Sequence, residues 1–246
     1  KMKKSLLTLV MALVSSLMLM AQVTTSSMSG KVLDAEGELI GATIQATHEP
    51  SGTTYGIVTN AAGNFSIEGM RVGGPYTIKV SYIGYQTKVY NDVILVLGEN
   101  FNLNVELNSS ADQLEEVIVV GTASKFAGQK TGAAININNK ALSQMPTVSR
   151  SISDIARLSP YAGGSNSFAG GDGRSTNFTI DGANFNNNFG LSDNLPGGGN
   201  PISIDAIEEM QVVISPFDVR QNNFIGGGVN AITKSGTNTM KGSAYV

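Results

Sequence analysis

Tyr76-Thr77-Ile78-Lys79-Val80-Ser81-Tyr82 sets an apolar side chain at every second position and a polar one between. A period of two sends one set of side chains inward and the other into water, which is a half-buried β-strand. Phe101-Asn102-Leu103-Asn104-Val105-Glu106-Leu107 repeats the pattern. Weaker strands read at residues 30–34, 42–48, 55–59, 64–67 and 86–97. Turn clusters separate them: Asp34-Ala35-Glu36-Gly37, Glu49-Pro50-Ser51-Gly52, Asn60-Ala61-Ala62-Gly63 and Gly73-Gly74-Pro75. Short strands at this spacing predict a β-sandwich of about seven strands over residues 27–107. Gly37, Gly41 and Gly63 fall where such turns ask for positive φ.

Upstream of this module, Lys1, Lys3 and Lys4 precede an apolar run over residues 6–20, closed by Ala21 before Gln22. A basic start, an apolar stretch of this length and a small residue at its end make residues 1–21 a signal peptide, so the protein is expected to be exported. Its removal takes away three lysines and no acid, leaving 13 basic against 19 acidic residues. That balance opposes nucleic-acid binding, which needs a basic footprint. The chain has no cysteine, which excludes disulfides, thiolate metal sites and a lipid-attachment cysteine. Its 29 glycines in 246 residues exceed the usual share of about 7%, consistent with many turns and a mainly β chain.

Residues 108–132 read as a linker holding one strand. Leu114-Glu115-Glu116-Val117-Ile118-Val119-Val120 ends in a run of high β-propensity that has no hairpin partner on either side. Two readings are open: a last strand of the sandwich, or an exposed segment that adds itself to another protein's sheet. Glu115 and Glu116 would then guard a free strand against aggregation. The modules on either side are expected to fold separately.

Residues 133–240 predict a mixed α+β domain. Ser149 is placed to cap a helix carrying Ile152, Ile155 and Leu158 and ended by Pro160. Asn200-Pro201 predicts a second helix through Ile204 and Ile207. Strands read at residues 177–181, 210–214 and 229–233. Between them, residues 163–199 hold ten glycines and seven asparagines. A stretch this long is either a solvated excursion or a ligand-contacting loop. On the second reading Arg174, Asp181, Asn184 and Asn186 are the candidates to face the ligand.

Catalytic signatures fail on inspection. Gly170-Gly171-Asp172-Gly173-Arg174-Ser175-Thr176 imitates a phosphate loop, but that pattern needs glycine at 168, lysine at 174 and a helix afterwards. The sole histidine, His48, falls in phase with Ala42, Ile44 and Ala46 and reads as a strand-end residue, since zinc needs three or four ligands. No Gly-x-Ser-x-Gly elbow occurs, and the pairs Glu115/Glu116 and Glu208/Glu209 flank strands, where neighbours face opposite ways. The chain is expected to be no enzyme and to use no cofactor and no metal.

Several stretches resemble known families. Gly30-Lys31-Val32-Leu33-Asp34, Gly37-Glu38-Leu39-Ile40-Gly41-Ala42 and Thr59-Asn60-Ala61-Ala62-Gly63-Asn64-Phe65 resemble the carboxypeptidase regulatory-like domain, which implies a transthyretin-like β-sandwich without peptidase activity. The segment from Leu114 to Val120 resembles the TonB box of TonB-dependent outer-membrane transporters. In Sus-type and Oar-type members such a motif follows a carboxypeptidase regulatory-like domain, the order found here. That resemblance implies strand addition to TonB by Leu114, Glu115, Glu116, Val117, Ile118, Val119 and Val120 in the periplasm of a Gram-negative bacterium.

Ile180-Asp181-Gly182, Ile207-Glu208-Glu209-Met210-Gln211-Val212, Pro216-Phe217-Asp218-Val219-Arg220 and the run from Gly226 to Asn238 resemble the transporter plug, which in the family fills a barrel of about 22 strands. Lys241-Gly242-Ser243-Ala244-Tyr245-Val246 resembles the start of the first barrel strand. The barrel itself, at least ~220 residues of wall, is absent from this sequence. The expectation is therefore an N-terminal fragment of a transporter for energised nutrient uptake at the outer membrane, unable to transport alone. Its implied partners are TonB, its own barrel and a surface lipoprotein, with the substrate open. The alternative is a secreted ligand-binding or adhesion protein that uses the sandwich and the Gly/Asn-rich loop.

Overall fold

The computed structural model describes residues 23–109, 117–120, 132–145, 147, 150–164, 166–186, 195, 201–216, 221–222 and 224–242. The signal peptide at 1–21, Leu114, Glu115, Glu116, the cap positions Ser149 and Asn200, the plug-like residues 217–220 and the barrel-like residues 243–246 lie outside them.

The first module is a sandwich. β1 (Ser26–Leu33) is flanked by β4 (Asn64–Met70) on one side and by the short β7 (Asn100–Asn102) and β8 (Val105–Glu106) on the other. The facing sheet runs through β3 (Thr53–Val58), β2 (Thr43–His48), β5 (Gly73–Ser81) and β6 (Lys88–Leu95). The alternation at residues 76–82 does what it predicts: Tyr76, Ile78 and Val80 are fully buried and register with His48, Ala46 and Ile44 of β2. Met28, Val32, Phe65, Ile67, Leu103 and Val105 of the first sheet complete the core against them.

The expected strand at 101–107 is broken in two, and Gly30 marks the reason. Lys31 donates its N–H to the Asn104 side-chain oxygen at 3.1 Å, so a side chain replaces a ladder partner. Leu103 donates to Ser29 O at 2.8 Å, and its own carbonyl lies over Gly30, where a β-carbon would fall inside its van der Waals envelope. Gly63 has φ 68°, and its turn is closed by Asn60, whose side-chain oxygen accepts from Ala62 N and Asn64 N. Only a residue without a β-carbon sits there without strain.

His48 stands at the end of β2, buried against Tyr76 at 4.9 Å between ring centroids, with Nδ1 2.7 Å from Ser51 Oγ. Burial holds its pKa below the ordinary 6.5, the Arg71 charge adding to the shift and Glu49 opposing it.

The second module is one sheet with helices on one face. Its strands run in the order β10 (Gly132–Asn138), β13 (Ile207–Pro216), β14 (Gly228–Thr233), β11 (Asn177–Ile180) and β12 (Ala183–Asn184). Two register rows, Ile135-Val212-Val229-Phe178 and Ile137-Met210-Ala231-Ile180, turn apolar side chains to α1 (Asn139–Gln144) and α2 (Ile152–Ala156). β10, β12 and α1 were not among the expected elements.

Two expectations are corrected. The cap of α2 is Ser151, whose Oγ accepts from Asp154 N at 3.1 Å, and the helix stops before Leu158, which is half exposed. The predicted helix after Pro201 is only a 3-10 turn, Ile204–Ala206, capped by Ser203. Ile207 already belongs to β13, where pairing with Thr233 overrides the helical spacing.

Gly30→Ala should destabilise the first module by about 1–3 kcal/mol, read as a lower urea midpoint of the mature chain. An unchanged midpoint would show that β7 and β8 yield freely. A second outcome concerns pH. A histidine with a depressed folded pKa binds fewer protons folded than unfolded, so its contribution is complete above pH 6.5 and fades as pH falls below it. The melting point of the first module should therefore drop as pH goes from about 7.5 to about 5, and His48→Gln should flatten that slope. Asp34 and Glu38, both held below the usual carboxylate range, titrate lower and leave this window clear.

Candidate functional site

β9 (Val117–Val120) lies parallel to β6, with Lys88↔Val117, Val89↔Ile118, Tyr90↔Val119 and Asn91↔Val120 in register. It is the last strand of the five-stranded sheet β3-β2-β5-β6-β9. Of the two readings open for this run, the last strand of the sandwich is the one observed, and the unpaired, exposed segment is corrected: a run of β-branched residues takes the free edge that β6 offers. The chain arrives from the correct end, since Ser109 bridges to Tyr85 and Gln86 N donates to Asn108 O at 3.0 Å, just before β6 begins.

β6 is bulged next to this contact. Between Ile78↔Tyr90 and Tyr76↔Val93, β6 spends one residue more than β5, and Asp92 takes φ 58°. A bulge bends its strand and ends a ladder. The last described pair with β9, Asn91↔Val120, sits directly before it.

Beyond the bulge, β6 leads to the junction with the second module. The face of the second sheet away from its helices carries the register row Asn136-Gln211-Asn230-Thr179. Glu209 is 2% exposed, and Gln211 and Asn230 are 5% exposed. Two side chains of β13 bracket one residue of the first module: Leu97 N donates to Glu209 Oε2 at 3.1 Å, and Gln211 Nε2 donates to Leu97 O at 3.1 Å. Asn230 Nδ2 donates to Val23 O at 2.6 Å, and Asn136 Nδ2 to Glu99 Oε1 at 2.9 Å. Val23, Val72, Leu97 and Ile232 form a small apolar cluster in the same seam. The two modules are thus joined by a built interface as well as by the linker, which the expectation of separate folding did not include. The signal for it was the alternation in Glu209-Met210-Gln211-Val212 and Val229-Asn230-Ala231, where the polar phase is amide or acid.

The four loop candidates cluster around β11, in local roles. Arg174 holds Asp172 through Nη2 to Oδ2 at 2.9 Å, and Asp172 Oδ1 accepts from Arg174 N at 2.9 Å, closing the 3-10 turn Gly173–Ser175. Strand β11 follows directly. Asp181, at φ 50°, accepts from Thr233 N at 2.9 Å and from Thr233 Oγ1 at 2.7 Å. Asn184 Oδ1 accepts from Asn186 N at 2.7 Å, while Asn186 bonds Phe178 N at 2.6 Å and Asn177 Oδ1 at 2.8 Å. Asn184 and Asn186 are thereby brought together in one turn, while Arg174 and Asp181 sit at opposite ends of β11. Among the described residues no group of three acids or histidines could hold a metal ion.

Comparison with known proteins fits this geometry. The carboxypeptidase regulatory-like domain matches residues 27–108, the whole first sandwich through β8. The TonB-dependent transporter Oar of Myxococcus xanthus is 25% identical over 238 residues, covering 90% of this chain and 21% of its own length. The chain thus spans about a fifth of that curated relative. The relationship supports a transporter-related role, and neither match is described as an enzyme. Among solved structures, a type II cohesin–X-dockerin complex from Acetivibrio cellulolyticus is 21% identical, with 34% of this chain and 58% of that chain covered at a TM-score of 0.28. The pilus 2b backbone protein of group B streptococcus is 17% identical, with 35% and 42% covered at 0.27. TM-scores this low carry no argument about this chain.

With a protease site placed between residues 125 and 126, which leaves β9 on the first piece, the cut modules should co-elute on gel filtration. Gln211→Ala with Asn230→Ala leaves Val23 O unpaired and Leu97 O with only the 3.5 Å bond from Asn136 Nδ2, at about 1–3 kcal/mol for each lost partner, and should separate the pieces. Separation of the unsubstituted pieces would show that the seam does not hold them.

Proposed function

We propose that this chain is the N-terminal part of a Sus/Oar-type TonB-dependent transporter of the Gram-negative outer membrane. Residues 1–21 direct export, the sandwich at 27–107 is an accessory module, residues 108–132 carry the energy-coupling strand, and 133–240 form the plug. Residues 241–246 begin a barrel that belongs to the longer protein, and energised nutrient uptake is the activity of that whole. On this reading the Gly/Asn-rich stretch, with Arg174, Asp181, Asn184 and Asn186, turns toward the substrate path.

The observation that carries the reading is β9. A strand-forming run of four residues lies between a carboxypeptidase regulatory-like sandwich and a second β-module, in a chain matched over 90% of its length to a TonB-dependent transporter. Such a strand at a sheet's end has backbone groups to offer and little else, which suits partner recognition by strand addition.

In the full-length protein, Val119→Pro should abolish energised uptake while substrate binding stays near normal. Proline deletes one amide donor and fixes φ, so no strand pairs continuously across it. Loss of three or four inter-strand bonds at about 0.5–1.5 kcal/mol net each should weaken TonB capture by one to three orders of magnitude. Val119→Thr keeps the donor and the β-branched shape and should be mild. Normal transport by the proline variant would place the coupling strand elsewhere.

A further inference from the structure

We infer that β6 holds β9 as a platform, and that the coupling partner adds its strand to the outer edge of the docked β9 without displacing it. The inference rests on the coupling role proposed above and says how that role is exercised.

β9 ends the order β3-β2-β5-β6-β9, and among the described residues no strand pairs with its other edge. In a strand, successive backbone N–H and C=O pairs point to opposite edges, so β6 claims one half of those of β9 and leaves the other half directed outward. An occupant of that edge must itself present backbone donors and acceptors at strand spacing. That describes an extended peptide segment and excludes a small solute or a nucleic acid as the natural fit.

Docking also lowers the cost of capture. A segment that is already extended on β6 has lost its conformational freedom before the partner arrives, so less is lost on binding. The bulge at Asp92 follows directly on Asn91, the partner of Val120, and the described pre-ordered edge is the four residues from Val117. The other end of β6 runs on to Leu97, which Glu209 and Gln211 hold against β13. A strand added to β9 is therefore continuous, through β9 and β6, with a residue fixed to the second module.

Residues 1–246 hold no cysteine, so Lys88→Cys with Val117→Cys introduces the only thiols of this region, at register partners. Neighbouring strands lie about 4.8 Å apart, inside the Cα range that a disulfide spans. In the full-length protein the disulfide should form on mild oxidation, as read by mass. The oxidised form should bind the purified periplasmic part of TonB within about threefold of the reduced form, or more tightly. The pair Tyr90→Cys with Val119→Cys should behave alike and guards against damage by one substitution. A disulfide that does not form in either folded variant overturns docking. Binding that falls tenfold or more on oxidation and returns with reductant overturns the platform, because β9 would then have to leave β6 to be captured. Wild-type protein that binds no TonB would instead remove the coupling reading itself.

Discussion

Both faces of the second sheet are covered, and this constrains the rest of the molecule. One face is apolar and takes the helices. The other carries Asn136, Gln211, Asn230 and Thr179 in a single register row, with Glu209 beside it. Buried amides and carboxylates left unpaired cost about 1–3 kcal/mol each, so whatever covers this face must supply matching polar groups. Leu97 does so with backbone, its N–H to Glu209 and its C=O to Gln211. Two side chains two residues apart on β13 thus imitate the ladder partner that a neighbouring strand would provide. Thr179 Oγ1, farther along the row, donates to Asn230 Oδ1 at 3.0 Å, which leaves Asn230 Nδ2 directed at Val23 O. Among the described residues the apolar part of the seam is Val23, Val72, Leu97 and Ile232, so there hydrogen-bond geometry sets the orientation of the two modules more than buried area does.

That orientation makes β6 the central strand of the arrangement. Its first half supports β9, its middle is bulged at Asp92, and its end delivers Leu97 to the seam. Each part depends on the others. Without the bulge, β6 would offer a longer unbroken edge. Without the turn at Gly98, which has φ 68°, the chain would not double back from Leu97 to place Glu99 near Asn136. The aliphatic core of the sandwich underneath fixes β6 through its antiparallel pairing with β5.

Much of the first module was legible because alternation there coincides with burial. Tyr76, Ile78 and Val80 are apolar and buried, and the residues between them are not. The break at Leu103-Asn104 was not legible, because it depends on Asn104 reaching the backbone of Lys31, a residue 73 positions away. In the second module β10 was missed although Ile135-Asn136-Ile137 alternates. Glycine, alanine and asparagine are poor strand formers, and the strand exists because β13 pairs with it along its length. The stretch at Ile204 and Ile207 misled in the opposite sense, since its spacing is helical while its partner is Thr233 of β14. The strand at Val117–Val120 was legible and its joining the sandwich was one of two open readings, but its parallel pairing with β6 was not, since no local pattern announces a parallel partner some thirty residues upstream. The seam residues were visible as a polar phase inside apolar strands, a pattern that reads equally well as a solvated face.

The strengths of the links decide how the molecule can respond to load. β9 is tied to β6 by a parallel ladder of four residues, which at about 0.5–1.5 kcal/mol net per bond amounts to a few kcal/mol. Among the described residues the seam adds five side-chain bonds and a small apolar cluster, a similar sum. Each module's own core is far larger, with seventeen buried residues in the sandwich cluster and fifteen in the other. A pull along β9 would therefore peel β9 from β6 or slide Leu97 out of the bracket before either module lost its core. Those two contacts involve comparable free energies and differ in kind: one is backbone to backbone and can re-form with any strand, while the other reads specific amides and re-forms only with this partner. If β9 has the proposed coupling role, a sandwich displaced by load returns to the second sheet through the seam, because that contact reads specific amides.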